Sequence, residues 1–402
     1  MKKRILFYAA NNGQINNMRP LLSELKKRNY QVAIYDTSQI YHQHILFDGF
    51  EEVVDSPFIL DKSFYRCSVI EKLKFVNSIR KQLRNVVDSF DILIVAADGS
   101  LERVLINEFR KQKKQTMMLL DGIISDYSIS FKDGVSHPAV LLNILKQTTA
   151  ILIKRIVFDC FKTTSLSPFL PGKIGMMPLD KILVIGEHSK RCVEKYNKHS
   201  KVIASGLPRL YNQKVIKTER ECSSTYVCYF PSAFKWHGLD EDDKNQHRDI
   251  EIVCETIDHI RSKNNVDVRL VIKMHPREVK SDYDCYLTEY EFVSVVEDVS
   301  ITDCFKNYDL FLSNVSTVII EGLINQIRVY SLMINFQYWK FKYSFLSSDE
   351  ISKVFSKDEL NNLIVSCIKG DNCYKIENIG NSLLFENNCS PKDVVTKLLS
   401  DE

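Results

Sequence analysis

Lys273, His275 and Arg277, with Pro276 among them, stand immediately after the run Val268-Arg269-Leu270-Val271-Ile272. The run is short and rich in β-branched and aliphatic side chains, which predicts a buried strand of a mixed α/β protein. Proline stops the strand from simply continuing, and the ammonium, imidazole and guanidinium beside it are three groups able to bind an anion. In open α/β sheets ligands lie beyond the carboxyl ends of the strands, so a phosphate-bearing ligand is expected here. Read alone, a His-Pro at a strand end also serves as a plain turn.

A second cluster follows the short strand Leu310-Phe311-Leu312. It runs Ser313-Asn314-Val315-Ser316-Thr317 into an apolar helix, Val318 to Ile324, that contains Glu321. Hydroxyls at a helix start cap it with their oxygens, and the same end presents free N–H groups and a positive dipole to a phosphate. Both roles can coexist. Glu321 is expected to look toward that end, where it accepts hydrogen bonds from a ribose or sugar or pairs with a cation. Tyr226 to Phe230 is another strand of this half and leads into Pro231-Ser232.

The candidate base is a carboxylate. Gln115 to Leu120 reads as a strand ending in Asp121-Gly122, with Ser125, Asp126 and Tyr127 beyond it. A carboxylate so placed can take the proton of an attacking hydroxyl, and the glycine lets the backbone turn sharply. An Asp-Gly turn between elements has the same spelling. Asp98-Gly99, after the strand Asp91 to Ala96, competes for the role. Asn11-Asn12-Gly13 is a polar turn that offers flexible backbone, or is a plain loop.

Around these groups the hydrophobic pattern alternates. Arg4 to Ala10 is a strand, Ile15 to Arg28 a helix and Val32 to Tyr35 a strand, the opening of a doubly wound domain. The first turn lacks G-x-G-x-x-G, so NAD or FAD is not inferred. The expected fold class is α/β, with two Rossmann-like doubly wound domains facing a central cleft. Residues 1–205 form the first, acceptor-binding domain, 206–224 the linker and 225–402 the second domain, with the last helix, Pro391 to Leu399, able to return to the first. The aromatic stretch Phe336 to Phe345 is expected to close over the cleft or return to the first domain.

The 402 residues suit two domains, each able to bury a core. A net charge of +3 argues against a nucleic-acid partner. Eleven cysteines without a Cys-x-x-Cys predict reduced core thiols of a cytoplasmic protein and no metal site. The basic and apolar N-terminus reads as a first strand rather than a signal peptide. A membrane span, which needs about 18 or more uninterrupted apolar residues, is not expected. Residues 138–161 are the most apolar long stretch, punctuated by Lys146, Lys154, Arg155 and Asp159. They predict a partly buried helix, or an amphipathic one lying on a membrane surface or beside an acceptor groove.

Taken together these elements resemble the GT-B glycosyltransferases over most of the chain. Lys273-Met-His275-Pro276-Arg277 resembles the His-Pro motif of bacterial sialyltransferases, Ser313-Asn-Val-Ser316-Thr317 their Ser/Thr motif, and Asp121-Gly122 up to Tyr127 their acidic, acidic, glycine motif. The resemblance implies inverting transfer from a CMP-linked sugar without an obligatory metal or cofactor. It implies that His275 contacts the donor phosphate, that Ser316 and Thr317 hold the phosphate or cytidine end, and that Asp121 is the general base. Lys273, Pro276, Arg277, Ser232, Ser313 and Glu321 would complete the donor side; Asn12, Gly13, Asp98, Gly122 and Tyr127 fall on the acceptor side. One departure is that Leu120 occupies the first acidic position.

Gly206-Leu-Pro208-Arg209 is also similar to polyol-phosphate transferases that use CDP-glycerol, and Ser316-Thr317 with Glu321 to the non-hydrolysing UDP-sugar 2-epimerases. The expected order is CMP-sugar transfer, other nucleotide-sugar transfer, then polyol-phosphate transfer. The acceptor would be a glycan or lipid-linked glycan of a surface polysaccharide or lipopolysaccharide, reached from the cytoplasm at the inner membrane face. A non-catalytic nucleotide-sugar-binding module is the alternative from a different class.

Overall fold

Aliphatic runs form two parallel sheets in the computed structural model, which describes residues 2–400 apart from 57, 65–66, 130–152, 154–155, 171, 214, 219–223, 235–243, 276–277, 340, 372, 377–380 and 388. The strands are β1 (Arg4–Tyr8), β2 (Gln31–Tyr35), β3 (Glu52–Val54), β4 (Ile92–Val95), β5 (Gln115–Leu119), β6 (Tyr127–Ile129), β7 (Lys181–Val184) and β8 (Lys201–Ala204). They continue with β9 (Thr225–Phe230), β10 (Val268–Lys273), β11 (Val293–Val296), β12 (Leu310–Ser313), β13 (Val329–Leu332), β14 (Phe341–Tyr343) and β15 (Lys353–Val354). Helices α1 (Asn12–Met18), α2 (Leu21–Lys27), α3 (Ser38–Tyr41), α4 (Val69–Asp88), α5 (Ser100–Lys111) and α6 (Glu187–Glu194) accompany the first sheet. The later helices are α7 (Lys244–Asn264), α8 (Asp284–Glu289), α9 (Ile301–Asn307), α10 (Thr317–Ile324), α11 (Lys357–Ile368) and α12 (Pro391–Leu399).

Unit 1 comprises the described residues of Met1–Ile124, Ser136–Tyr211 and Leu383–Glu402. Its sheet runs β3-β2-β1-β4-β5-β7-β8, all parallel. Strands such as β4 are buried along their whole length, as a sheet covered on both faces requires. The expected helix from Ile15 to Arg28 is two helices, because Pro20 has no N–H to continue the ladder past Arg19. The C-terminal segment closes this unit. Val394, Val395 and Leu398 of α12 enter the same core cluster as Leu21 and Leu25 of α2, and Arg28 donates to Thr396 Oγ1 at 2.7 Å. At Gly186 a Cβ would collide with the backbone of Leu384 and Phe385, so only glycine lets this segment pass.

Unit 2 comprises the described residues of Ser125–Val135 and Asn212–Ser382. Its parallel sheet runs β11-β10-β9-β12-β13-β15, over a core that includes Ile250, Val253 and Ile257 of α7. The aromatic stretch Phe336 to Phe345 supplies β14, which pairs antiparallel with β6, Tyr343 opposite Tyr127. Tyr127 therefore belongs to unit 2, although it lies within the first hundred and fifty residues of the chain. Unit 1 extends through Tyr211, and Pro208–Leu210 forms a 3-10 turn close to α1 with Pro208 and Leu210 buried.

The described cysteines are free thiols. Among the described residues no helix is long and apolar enough to cross a membrane. Of the stretch 138–161, residues 138–152 and 154–155 lie outside the described set. Ile156 to Phe161 is helical, and Phe158 is buried there beneath the Arg103 guanidinium.

Candidate functional site

In unit 2 the chain builds β9, β10 and β11 in one direction across the sheet, then returns to lay β12 on the other side of β9. The crevice at such a reversal, beyond the carboxyl ends of the strands, is where doubly wound sheets bind ligands. The residues at this reversal are Ser232 after β9, His275 after β10 and Ser316-Thr317 after β12.

A chain of hydrogen bonds, buried at its middle and part-buried at its ends, joins those three ends. The carboxylate of Glu278 accepts from the backbone N–H of His275 at 3.0 Å, from the hydroxyl of Tyr283 at 2.8 Å and from Nε2 of Gln246 at 2.8 Å. The Glu278 N–H donates back to the His275 carbonyl at 3.0 Å, closing the turn. Gln246, in the first turn of α7, accepts at Oε1 from the Ser232 N–H at 2.9 Å. Ser232 Oγ then accepts from the N–H of Val315 at 2.9 Å, one residue before Ser316. Ser316 caps α10, its Oγ accepting from the Val318 N–H at 3.3 Å.

Three residues along α7, Asp249 fixes the far side. Its carboxylate accepts from Nδ2 of Asn314 at 2.6 Å and from Nδ2 of Asn335 at 2.7 Å. Tyr229 donates its hydroxyl to Asn314 Oδ1, and Ser331 donates to the Asn314 carbonyl at 2.7 Å. Burial pushes the Asp249 carboxyl up to about 7, against the two carboxamide hydrogen bonds that favour its charged form.

The sequence candidates of this half divide by what their polar atoms already do. Half-buried, His275, Ser316 and Thr317 sit at the reversal. Ser232 and Ser313 are buried struts; Ser313 donates to the Phe230 carbonyl at 2.8 Å and ties β12 to β9. Glu321 is buried in the second turn of α10. The ammonium of Lys273 is turned onto the carbonyls of Met274 at 3.0 Å and Glu297 at 2.5 Å, so it secures the ends of β10 and β11. Pro276 and Arg277 lie outside the described residues. Gln246, Asp249, Glu278, Tyr283 and Asn335 were given no role by the sequence. The only signal for any of them was Glu278, an acid three residues past His275.

In unit 1, Asp121 leaves the end of β5 half-buried. Asn17 Nδ2 donates to the Leu120 carbonyl at 3.1 Å and fixes the residue before it. Gly13 lies beside the carboxylate: a Cβ there would stand in ordinary contact with Asp121 Oδ2 at 3.8 Å and tightly against Asn11 Oδ1 at 3.2 Å. Asn12 is spent on a loop, donating to the His44 carbonyl at 2.7 Å and accepting from the Leu46 N–H at 3.0 Å. Gly122 is half-buried in the turn after Asp121, and Tyr127 is in unit 2.

Asp98 is 1% exposed, and its two oxygens accept from the N–H groups of Gly175 at 3.0 Å and Met177 at 2.9 Å. Burial raises its carboxyl above the ordinary carboxylate range, while the Arg103 guanidinium opposes the rise. This carboxylate clamps a loop. Among the described residues no group of three or more His, Cys, Asp or Glu could hold a metal ion.

Two parallel-sheet domains with crossover helices place the chain in the GT-B class of fold. No protein-family model matches the chain, and no curated protein matches it in sequence. Solved structures do resemble it. A UDP-GlcNAc 2-epimerase from Neisseria meningitidis bound to UDP-GlcNAc is 14% identical at a TM-score of 0.55, covering 99% of this chain and 100% of that one. The Methanocaldococcus jannaschii enzyme in complex with UDP-GlcNAc and UDP is also 14% identical at 0.55, covering 98% and 99%. A candidate UDP-N-acetylglucosamine 2-epimerase from Listeria monocytogenes is 12% identical at 0.58, covering 100% and 98%. At these identities the likeness establishes the fold.

Proposed function

We propose that the chain is a glycosyltransferase that takes its sugar from a nucleotide-linked donor. The observation that carries this reading is the chain of hydrogen bonds that fixes His275 and the Ser316-Thr317 helix start around one sheet reversal in unit 2. An imidazole, two hydroxyls and the N–H groups of a helix start are the groups that stabilise charge growing on a departing nucleotide phosphate. Asp121 of unit 1 serves as base. The acceptor oxygen attacks the anomeric carbon, its proton passes to the carboxylate, and the bond to the phosphate oxygen breaks with its electron pair leaving on the nucleotide, inverting the centre.

A CMP-linked ulosonic acid is the first donor reading, on the His-Pro and Ser/Thr motifs. A UDP-linked sugar is the second, favoured by the likeness of fold to structures that hold UDP-GlcNAc. Offering the chain CMP-sialic acid, a UDP-sugar and CDP-glycerol in parallel, with a glycan acceptor, separates them by the nucleotide released and the group transferred. Release of CMP with transfer of sialic acid supports the first reading, and release of UDP supports the second. Transfer of phosphoglycerol would make the chain a polyol-phosphate transferase. Donor binding without release would make it a binding module, and His275→Ala with unchanged donor affinity and turnover would move the site elsewhere.

A further inference from the structure

Gln246 is nearly fully buried, with its carboxamide bonded to the Ser232 N–H and to the Glu278 carboxylate. It bridges two loops. Its Nε2 holds the Glu278 carboxylate, which holds the backbone of His275, and its Oε1 holds the Ser232 N–H, whose hydroxyl holds Val315 ahead of the α10 cap. A carboxamide is one of the few side chains that can donate to a carboxylate and accept from an N–H at once. An apolar residue of similar size would leave Glu278 short of one donor and the Ser232 N–H without its acceptor. A carboxylate would face a second carboxylate at hydrogen-bond distance.

Resting on the proposed nucleotide-binding role of unit 2, we propose that Gln246 is a positioning residue for the donor phosphate. It couples the His275 turn to the Ser316-Thr317 helix start, so that the imidazole and the helix N–H groups meet one anion as a unit. Without the bridge each loop keeps its own hydrogen bonds but the two lose their fixed separation. Misplacing supporting groups around a binding constellation costs roughly tenfold to a hundredfold in affinity.

The test titrates CMP and UDP in parallel into the full chain by calorimetry, with Gln246→Met and Gln246→Glu as variants and melting curves for each. Gln246→Met is expected to weaken the nucleotide bound by the parent chain by about tenfold. Gln246→Glu makes an acid pair with Glu278, whose hydroxyl neighbour is Tyr283. Two carboxyls this close share one proton, so at mildly acidic pH the protonated member donates in place of the amide. Measured against the parent chain at the same pH, its affinity is expected to recover on acidification and to fall to the Gln246→Met level as pH rises. Parent-like affinity in Gln246→Met overturns the coupling. So does weak binding by Gln246→Glu at every pH together with lowered melting, the mark of general destabilisation. If neither nucleotide binds the parent chain, the nucleotide reading of unit 2 itself fails, an outcome separate from both.

Discussion

The two units use their buried acids alike and their half-buried groups differently. In unit 2, Glu278 and Asp249 stand behind the loops and hold backbone N–H groups and carboxamides, while His275, Ser316 and Thr317 remain half-buried at the sheet reversal. In unit 1, Asp98 is equally committed, to Gly175 and Met177, and Asp121 is the half-buried carboxylate at a strand end. The contrast separates two Asp-Gly pairs that are spelled alike. An acid whose oxygens hold backbone N–H groups in the interior is scaffold, and the proposed base is the one at the half-buried strand end.

The largest effect expected from this contrast is on transfer. Asp121→Asn should lower the rate by about 10²- to 10⁴-fold with unfolding unchanged, whereas Asp98→Asn should lower the melting temperature first. The reverse pattern in rates and melting curves would break the distinction between the two acids.

Next comes pH. Asp249 of unit 2 and Glu102, a buried acid of α5 in unit 1, are both pushed up to about 7 by burial, so between about pH 4 and 7 each keeps a proton in the folded chain that the unfolded chain has released. The stability each contributes is complete below its unfolded value near pH 4 and is lost as pH climbs through about 7, worth roughly 4 kcal/mol for Asp249. Unfolding curves between pH 4 and 8 should therefore flatten in Asp249→Asn and in Glu102→Gln. A slope left unchanged by both would remove titrating acids from the comparison.

Glu278→Ala strips the acceptor from His275 N–H, Tyr283 and Gln246 together, and should cost roughly 3 kcal/mol in urea unfolding, along with nucleotide affinity. The smallest effect belongs to Lys273→Ala. Its ammonium is already occupied by carbonyls, so nucleotide affinity should change by less than about twofold. A tenfold loss there would return Lys273 to the ligand.

Fold and site were legible to different depths. The buried parallel strands announce themselves as aliphatic runs, which is why β1, β2, β4, β5, β7, β9, β10 and β12 can be read within a residue or two. Short edge strands such as β3 and β15 have too few residues to show a period, and β14 depends on a partner about two hundred positions away. Residues at strand ends could be singled out because strand and turn are local. Their supports could not: Gln246 and Asp249 lie in the opening turns of α7, ahead of Ile250 to Arg261 where the sequence reads as a helix, and nothing local tells a buried acid from a solvated one. Asp98 and Lys273 show the same limit, since both look available until their partners are known.

The segment Leu383–Glu402 has a consequence for how the chain matures. A ribosome releases residues from the N-terminus onward, so Val394, Val395 and Leu398 emerge only after the whole of unit 2 has been made. Until then the face of α2 that they cover stays open to solvent. The half of the molecule synthesised first is thus the half finished last, and a nascent chain stalled within unit 2 would expose an apolar surface for chaperones to shield.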